Sequence, residues 1–455
     1  MANADEDESE WTYMDTLRPP VYICLRRKPS ADGKFHPMAL DGRSSSSHAA
    51  NLIACLLRIH KEAWSHVPWS EPFVDIEGAA KKPTEYLPTR FKMMYDDAHL
   101  YIGAELVEPK IWGTICKKNS TMYHENDFEV FLNPDGSRHN YYEMELNCLN
   151  TIWELLLHKP YKDGYSIENP YNLSGFRSAV YVDGITNSPQ TVCTKWCIEM
   201  SYPLAELVQF DTLRQRSAKA GDVWRVNFSR VQYELEVVVD EESSELCYEK
   251  VPDKREANIV WAPTGVIDIH RPEKWGFVFF SSQDELPGGE DELASAMAEF
   301  LREQIAMERV LDTIYYDQRE FYKRHEGFAS HWEQLYPTPE AFRHMDLITK
   351  FALSTPTISC QSELGVAAGS SSSAAEIGSA TPRRRRSYVP SLDVDDDDEV
   401  STMNDPALSL LSPRSREIKR KEASGLFRTY TASVKSATQL WNMENDARLW
   451  KTSTM

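Results

Sequence analysis

Three glutamates, Glu129, Glu143 and Glu145, fall in two short runs that read as adjoining strands. Two carboxylates about 5 to 10 Å apart are what glycoside hydrolysis needs, one as acid and the other as base or nucleophile. The same groups can instead accept hydrogen bonds from the hydroxyls of a bound ligand. With 70 Asp and Glu residues in the chain, close pairs arise by chance, and no separate catalytic domain is visible. Non-catalytic binding is the preferred reading, and no catalytic residue is assigned. The eight cysteines, at 24, 55, 116, 148, 193, 197, 247 and 360, include no Cys-x-x-Cys pair, and most lie in apolar runs. They read as buried free thiols of a reducing compartment. Cys193 and Cys197 share a strand face, but at about 13 Å they are too far apart to hold one metal ion.

The elements that must carry these residues are short strands. Phe91, Met93 and Tyr95 alternate before Asp96-Asp97, and Leu100, Ile102, Ala104 and Leu106 alternate after it, which predicts a hairpin. Phe128, Val130 and Leu132 run into the turn Asn133-Pro134-Asp135-Gly136, and Tyr142, Met144, Leu146 and Cys148 alternate beyond it, predicting a second. Further strands are expected at 176–182, 192–200, 224–231 and 275–280. In the third of these, Trp224, Val226 and Phe228 form a core face, which leaves Asn227 and Ser229 on a polar one. The pattern over residues 21–283 is that of an antiparallel β-sandwich, mainly β and jelly-roll-like.

Beyond residue 287 the character changes. Leu293, Met297, Leu301, Ile305, Leu311, Ile314 and Tyr315 recur at helical spacing, so residues 288–345 read as an amphipathic helical segment packed on the sandwich. Residues 362–425 carry a serine run, Arg383–Arg386 and an acidic block with few apolar residues, and read as a disordered insert. Residues 426–455 read as a strand pair returning to the folded body, and residues 1–20 as a flexible acidic N-terminus.

A net charge of −20 would repel a phosphate backbone, so nucleic acid is not an expected partner. The first 15 residues are acidic where a secretory signal is basic and apolar, and no stretch is apolar enough to cross a membrane. The expectation is a soluble cytoplasmic protein with no membrane partner. The basic quartet Arg383–Arg386 allows a nuclear fraction, and the helical segment or the insert, with Ser412-Pro413, offers a surface for a protein partner.

Several phrases in the sandwich resemble the family 9 carbohydrate-binding module and its wider group of relatives. They are Pro88–Met93, Tyr95–Ile102, Asn126–Gly136 continuing through His139–Glu143 to Asn147, Gly221–Arg230 and His270–Gly276. Their order and spacing cover about 260 residues, from 21 to 283. The resemblance implies binding of an oligosaccharide or polysaccharide, with the end of a glycan held between two aromatic rings. Family members are often accessory modules of xylanases and similar hydrolases in carbohydrate catabolism. Chemically this is sound, because a pyranose has apolar C–H faces that stack on rings and hydroxyls that need polar partners.

Residue by residue, the two aromatic positions fall on Tyr123 and His270, where the family has tryptophans, so the platform is smaller. The family's binding glutamate falls on Glu129. Glu145 takes the place of a basic ligand contact, and Asn227 completes the expected ligand-binding set. The resemblance also implies structural calcium, for which the acidic turns Asp96-Asp97 and Asp135 offer oxygens. The sequence designates no metal ligands and no other cofactor. Two alternatives stay open beside hydrolysis: a protein-interaction scaffold that kept the sandwich and lost the sugar site, and haem held by His270 with Met122 or Met144, as in related redox sandwiches.

Overall fold

Alternating apolar residues place most of the folded chain in strands, each with one face turned to a shared core. The computed structural model describes residues 10–27, 62–164, 166–241, 243–286, 290–360, 426–427, 429–437 and 439–453. The insert at 362–425, with its arginine quartet, and residues 1–9 lie outside the described residues.

In chain order the strands are β1 (Val21–Arg26), β2 (Val74–Asp75), β3 (Thr89–Tyr95), β4 (His99–Val107), β5 (Asp127–Asn133), β6 (Tyr141–Asn147) and β7 (Ile152–Lys159). Next come β8 (Ser166–Glu168), β9 (Arg177–Asp183), β10 (Lys195–Pro203), β11 (Val223–Gln232), β12 (Leu235–Val239), β13 (Leu246–Lys250), β14 (Ala257–Val260) and β15 (Gly276–Phe280). The C-terminal part adds β16 (Phe328–Ala329), β17 (Thr357–Cys360), β18 (Leu426–Phe427), β19 (Tyr430–Lys435), β20 (Gln439–Glu444) and β21 (Leu449–Ser453). Helices are α1 (Glu10–Met14), α2 (Glu62–Ser65), α3 (Leu204–Leu207), α4 (Glu290–His325), α5 (Trp332–Leu335) and α6 (Met345–Lys350).

A 13-stranded sheet runs β8-β7-β6-β5-β11-β15-β1-β3-β4-β10-β9, with β14 and β2 attached through β11. It curls over so that its two halves face each other as a sandwich. All its pairings are antiparallel except those of β1, which runs parallel to both β15 and β3 and joins the halves. The core lies between them: Phe91 and Met93, Ile102 and Ala104, Phe128 and Val130, Tyr142 and Met144, Ile198 and Met200, and Val226 and Phe228 are all buried there. Each large apolar side chain removed from water contributes about 1.5 to 3 kcal/mol. The hairpin expected at 133–136 is the β5–β6 turn, where Gly136 takes a left-handed φ of 68°. The Asn133 side chain closes that turn, accepting from the Arg138 N–H at 2.8 Å and donating to the His139 carbonyl at 2.9 Å.

Within the segment read as helical, 288–345, the chain forms one 36-residue helix, α4, that ends at His325, followed by the short α5. The first half of α4 covers the outer face of β1 and β15, where Met297 and Leu301 meet Ile23, Leu25 and Phe277. Its second half carries Met307, Leu311, Ile314 and Tyr315 into a separate core with β19, β20 and β21. That layer is a four-stranded sheet, β17-β19-β20-β21, larger than the strand pair read from the sequence. The N-terminus is folded from Glu10 onward, not flexible to residue 20. Trp11 and Met14 are buried against α4, and Trp11 stacks on Tyr316 with ring centroids 4.7 Å apart. Two apolar anchors outweigh the acidic composition that surrounds them.

Buried ion pairs stitch α4 to the sandwich. Arg138, from the β5–β6 turn, pairs with Asp312 and Glu308, and Arg225 of β11 also pairs with Glu308. No helix among the described residues is long and apolar enough to cross a membrane.

Candidate functional site

The strands β11, β5, β6 and β7 are consecutive neighbours, and their register sets one row of side chains across the sheet: Ser229, Glu129, Glu145 and Trp153. Since alternate residues face opposite ways, Phe128, Val130, Tyr142 and Met144 turn into the inter-sheet core while this row lies on the other face. Asp127 and Asn147 make the adjacent row on one side; Asn227, Phe131, Glu143 and Leu155 make the adjacent row on the other. Four carboxylates, Asp127, Glu129, Glu143 and Glu145, thus share a patch of one sheet face, and all are buried.

Connecting segments build walls around this acidic floor, forming a cleft of about 340 Å³. On one side a 3-10 turn (Met122–His124) presents Tyr123, 46% exposed, with its ring 6.0 Å from that of Trp153. The Tyr123 backbone N–H donates to Glu145 Oε2 at 3.1 Å, which ties the turn to the floor. A second 3-10 turn (Tyr161–Asp163) presents Tyr161, 43% exposed. The Tyr161 ring meets His270 edge-on at 4.4 Å, and His270 Nδ1 lies 2.8 Å from the Tyr141 hydroxyl. Residues 255–258 and 267–270 close the remaining side.

Electrostatically the floor is unusual. Burial pushes Glu129 up to about 7, against a partial offset from the Ser229 hydroxyl that donates to it. Burial, then the proximity of Glu129, raises Asp127, Glu143 and Glu145 well above the ordinary carboxylate range. Burial also lowers His270 to about 4, so it is neutral near pH 7. An aromatic-rimmed cleft with oxygen acceptors on its floor can hold a ligand that has apolar faces and hydroxyl donors.

Of the residues expected from the sequence, Tyr123, Glu129, Glu145 and His270 all line this cleft. Asn227 does not. Its buried amide donates to the Ala262 carbonyl at 3.0 Å and accepts from the Ala262 N–H at 3.0 Å, which pins the bend after β14. His270 is partly buried beneath Tyr161, and Tyr161 has the exposed ring on that wall. Trp153, Tyr161 and Asp127 were not singled out in the sequence. Trp153 alternates with Leu155 and Leu157 and so resembles core, and Tyr161 sits in a turn with no periodicity to mark it.

The acidic turns offered for structural calcium do not fit such an ion. Asp96 is taken up by the Ala98 and His99 N–H groups, Arg27 and Tyr101, and Asp97 pairs with Arg26. Asp135 accepts from Ser137 and from the backbone and hydroxyl of Thr212. Haem ligation by His270 and Met144 is excluded by the sheet itself, because Met144 points into the inter-sheet core and His270 lies over the opposite face.

A family model described as "Carbohydrate family 9 binding domain-like" matches residues 58–222. No curated protein matches the sequence. Among solved structures, the chain is similar to a candidate carbohydrate-binding protein from Bacteroides uniformis, at 14% identity and a TM-score of 0.37, covering 58% of this chain and 100% of that one. It is also similar to a family 9 carbohydrate-binding module from Caldicellulosiruptor kristjanssonii, solved with glucose and with cellotriose. For each complex the identity is 14% and the TM-score 0.33, with 59% of this chain and 100% of that one covered. Residues 58–222 thus match the carbohydrate family 9 binding domain-like model, and they include the motifs Pro88–Met93, Tyr95–Ile102 and Asn126–Asn147 that carried the resemblance.

Proposed function

We propose that this protein binds carbohydrate without catalysis, taking a sugar unit into the cleft between Tyr123 and Tyr161. The observation that carries the reading is the pairing of these two exposed tyrosines with a floor of carboxylate oxygens in a single cleft. A pyranose stacks its C–H face on such rings, and Glu129 and Glu145 accept from its hydroxyls. The match of residues 58–222 to a carbohydrate-binding family supports the same reading. The test is calorimetric titration of the purified chain with glucose, cellotriose, and xylo- and malto-oligosaccharides, alongside Tyr123→Ala and Glu129→Ala. Binding that both substitutions remove supports the cleft as the site.

A scaffold that kept the sandwich and lost the sugar site has one observation in its favour. The β12–β13 hairpin projects Val237, Val239 and Leu246 into solvent, an apolar surface suited to a protein partner. Silence across the sugar panel at millimolar concentration would put this reading first.

A further inference from the structure

We propose that Glu129 and Glu145, on the floor of the cleft, and Asp127, buried beside them on the same sheet face, together bind one hard divalent cation of the calcium class. One carboxylate oxygen from each of the three lies within 4.8 Å of the others. Two oxygens bound to the same calcium ion at about 2.4 Å can be no more than about 4.8 Å apart, so the trio can converge on one ion without moving a strand.

A group of acids is not a site by itself, and the hydrogen bonds supply the second observation. Asp127 is 0% exposed; its Oδ1 accepts from the Val231 N–H at 3.2 Å, and its Oδ2 is buried with no hydrogen-bond partner. Oε2 of the neighbouring Glu143 is buried and unpartnered in the same way. A buried oxygen left unpaired is costly, the more so if charged, so such groups ordinarily have a partner.

The protein pairs comparable carboxylates elsewhere. Glu308 meets Arg225 and Arg138, Glu108 meets Arg230, and Asp96 meets Arg27. None of Asp127, Glu129, Glu143 and Glu145 forms an ion pair with a described residue, so this patch either keeps its protons or, once ionised, takes its countercharge from solution. An all-oxygen donor set selects a hard cation over zinc or copper. Calcium is favoured over magnesium because it accepts a cage of several protein carboxylates, whereas magnesium keeps most of its water. The open side of the ion would face the cleft, where water fills the coordination shell. On the sugar-binding reading, sugar hydroxyls take the place of that water.

The experiment uses the full chain after chelator treatment, at pH 7.5. Calcium is titrated calorimetrically and by displacement of terbium, whose luminescence is excited through the aromatic side chains of the cleft. Thermal unfolding is followed with and without 2 mM calcium. The expected result is one saturable site and a rise in midpoint of roughly 5 °C. Asp127→Asn and Glu129→Gln should each abolish both effects. Both variants should still fold, with metal-free midpoints at or above that of the parent, because a repelling buried charge is gone. An equal calcium response in parent and variants, or no response to either calcium or magnesium at 10 mM, overturns the proposal. A cellotriose titration with and without chelator separates this inference from the one it builds on. Calcium binding without sugar binding sinks only the sugar reading, and sugar binding unchanged by chelator with no calcium site sinks only the cation.

Discussion

Glu129 and Glu145 stand directly opposite each other on β5 and β6, with Ser229 beyond one and Trp153 beyond the other. Like charges in that register repel, and burial sharpens the conflict. Burial raises Glu129 to about 7 from an ordinary 4.5, so the folded protein holds that proton more tightly than the unfolded chain does. The stability this contributes is present in full below pH 4.5 and is lost as pH rises through 7. For chelator-treated protein the loss is on the order of 3 kcal/mol. Urea unfolding at pH 4.5, 6 and 8 should show that decline in the parent and a flatter profile in Glu129→Gln. Parallel profiles would mean the charge is relieved in some other way.

Tyr161 forms the wall opposite Tyr123, so Tyr161→Ala should weaken binding of cellotriose roughly tenfold, about as much as Tyr123→Ala. Phe at either position should retain most of the affinity, because it keeps the stacking face. Calorimetry on the four variants checks this, and an unchanged Tyr161→Ala would remove that ring from the site.

Asn227 divides structural from binding roles. Asn227→Ala leaves the backbone N–H and C=O of Ala262 without partners and should cost about 2 to 4 kcal/mol in chemical denaturation. Sugar affinity of the folded fraction should stay within about twofold. A large loss of affinity at unchanged stability would return Asn227 to the site.

Arg138 is 1% exposed and pairs with Asp312 and Glu308 across the joint between sandwich and helix. Arg138→Ala leaves Glu308 to Arg225 but strands the buried Asp312 carboxylate, and should destabilise the protein by about 3 to 5 kcal/mol. Limited proteolysis should then cut within α4 before the sandwich. Cleavage that begins in the sandwich instead would show that this pair does not hold the joint.

The sequence was most legible where the information is local. Asp96-Asp97 and Asn133–Gly136 are turn signals flanked by alternating residues, and both mark hairpins of the structure, β3–β4 and β5–β6. The same period of two put Glu129, Glu143 and Glu145 on one face. What alternation lacks is depth: Asn227 shares that face yet is covered by the backbone at Ala262, and Trp153 looks like core while standing at the edge of a cleft. Long-range facts were illegible. Nothing near Tyr22 announces that β1 runs parallel to two strands, one of them formed at the far end of the sandwich. Nor does any local pattern place Thr357–Cys360 beside β19, because the two are separated by the whole insert.

That last pairing has a consequence for how the chain can vary. Cys360 lies opposite Tyr430 in the β17–β19 ladder, so the intervening polypeptide leaves and rejoins the fold at nearly one point. Between ends held this close, doubling the length of the connecting chain adds only about 0.6 kcal/mol of closure cost. The position is a natural docking port in the gene: a cassette exchanged between residues 361 and 425, a shorter tether or a reporter domain, should leave the strands β5, β6 and β7 that floor the cleft intact.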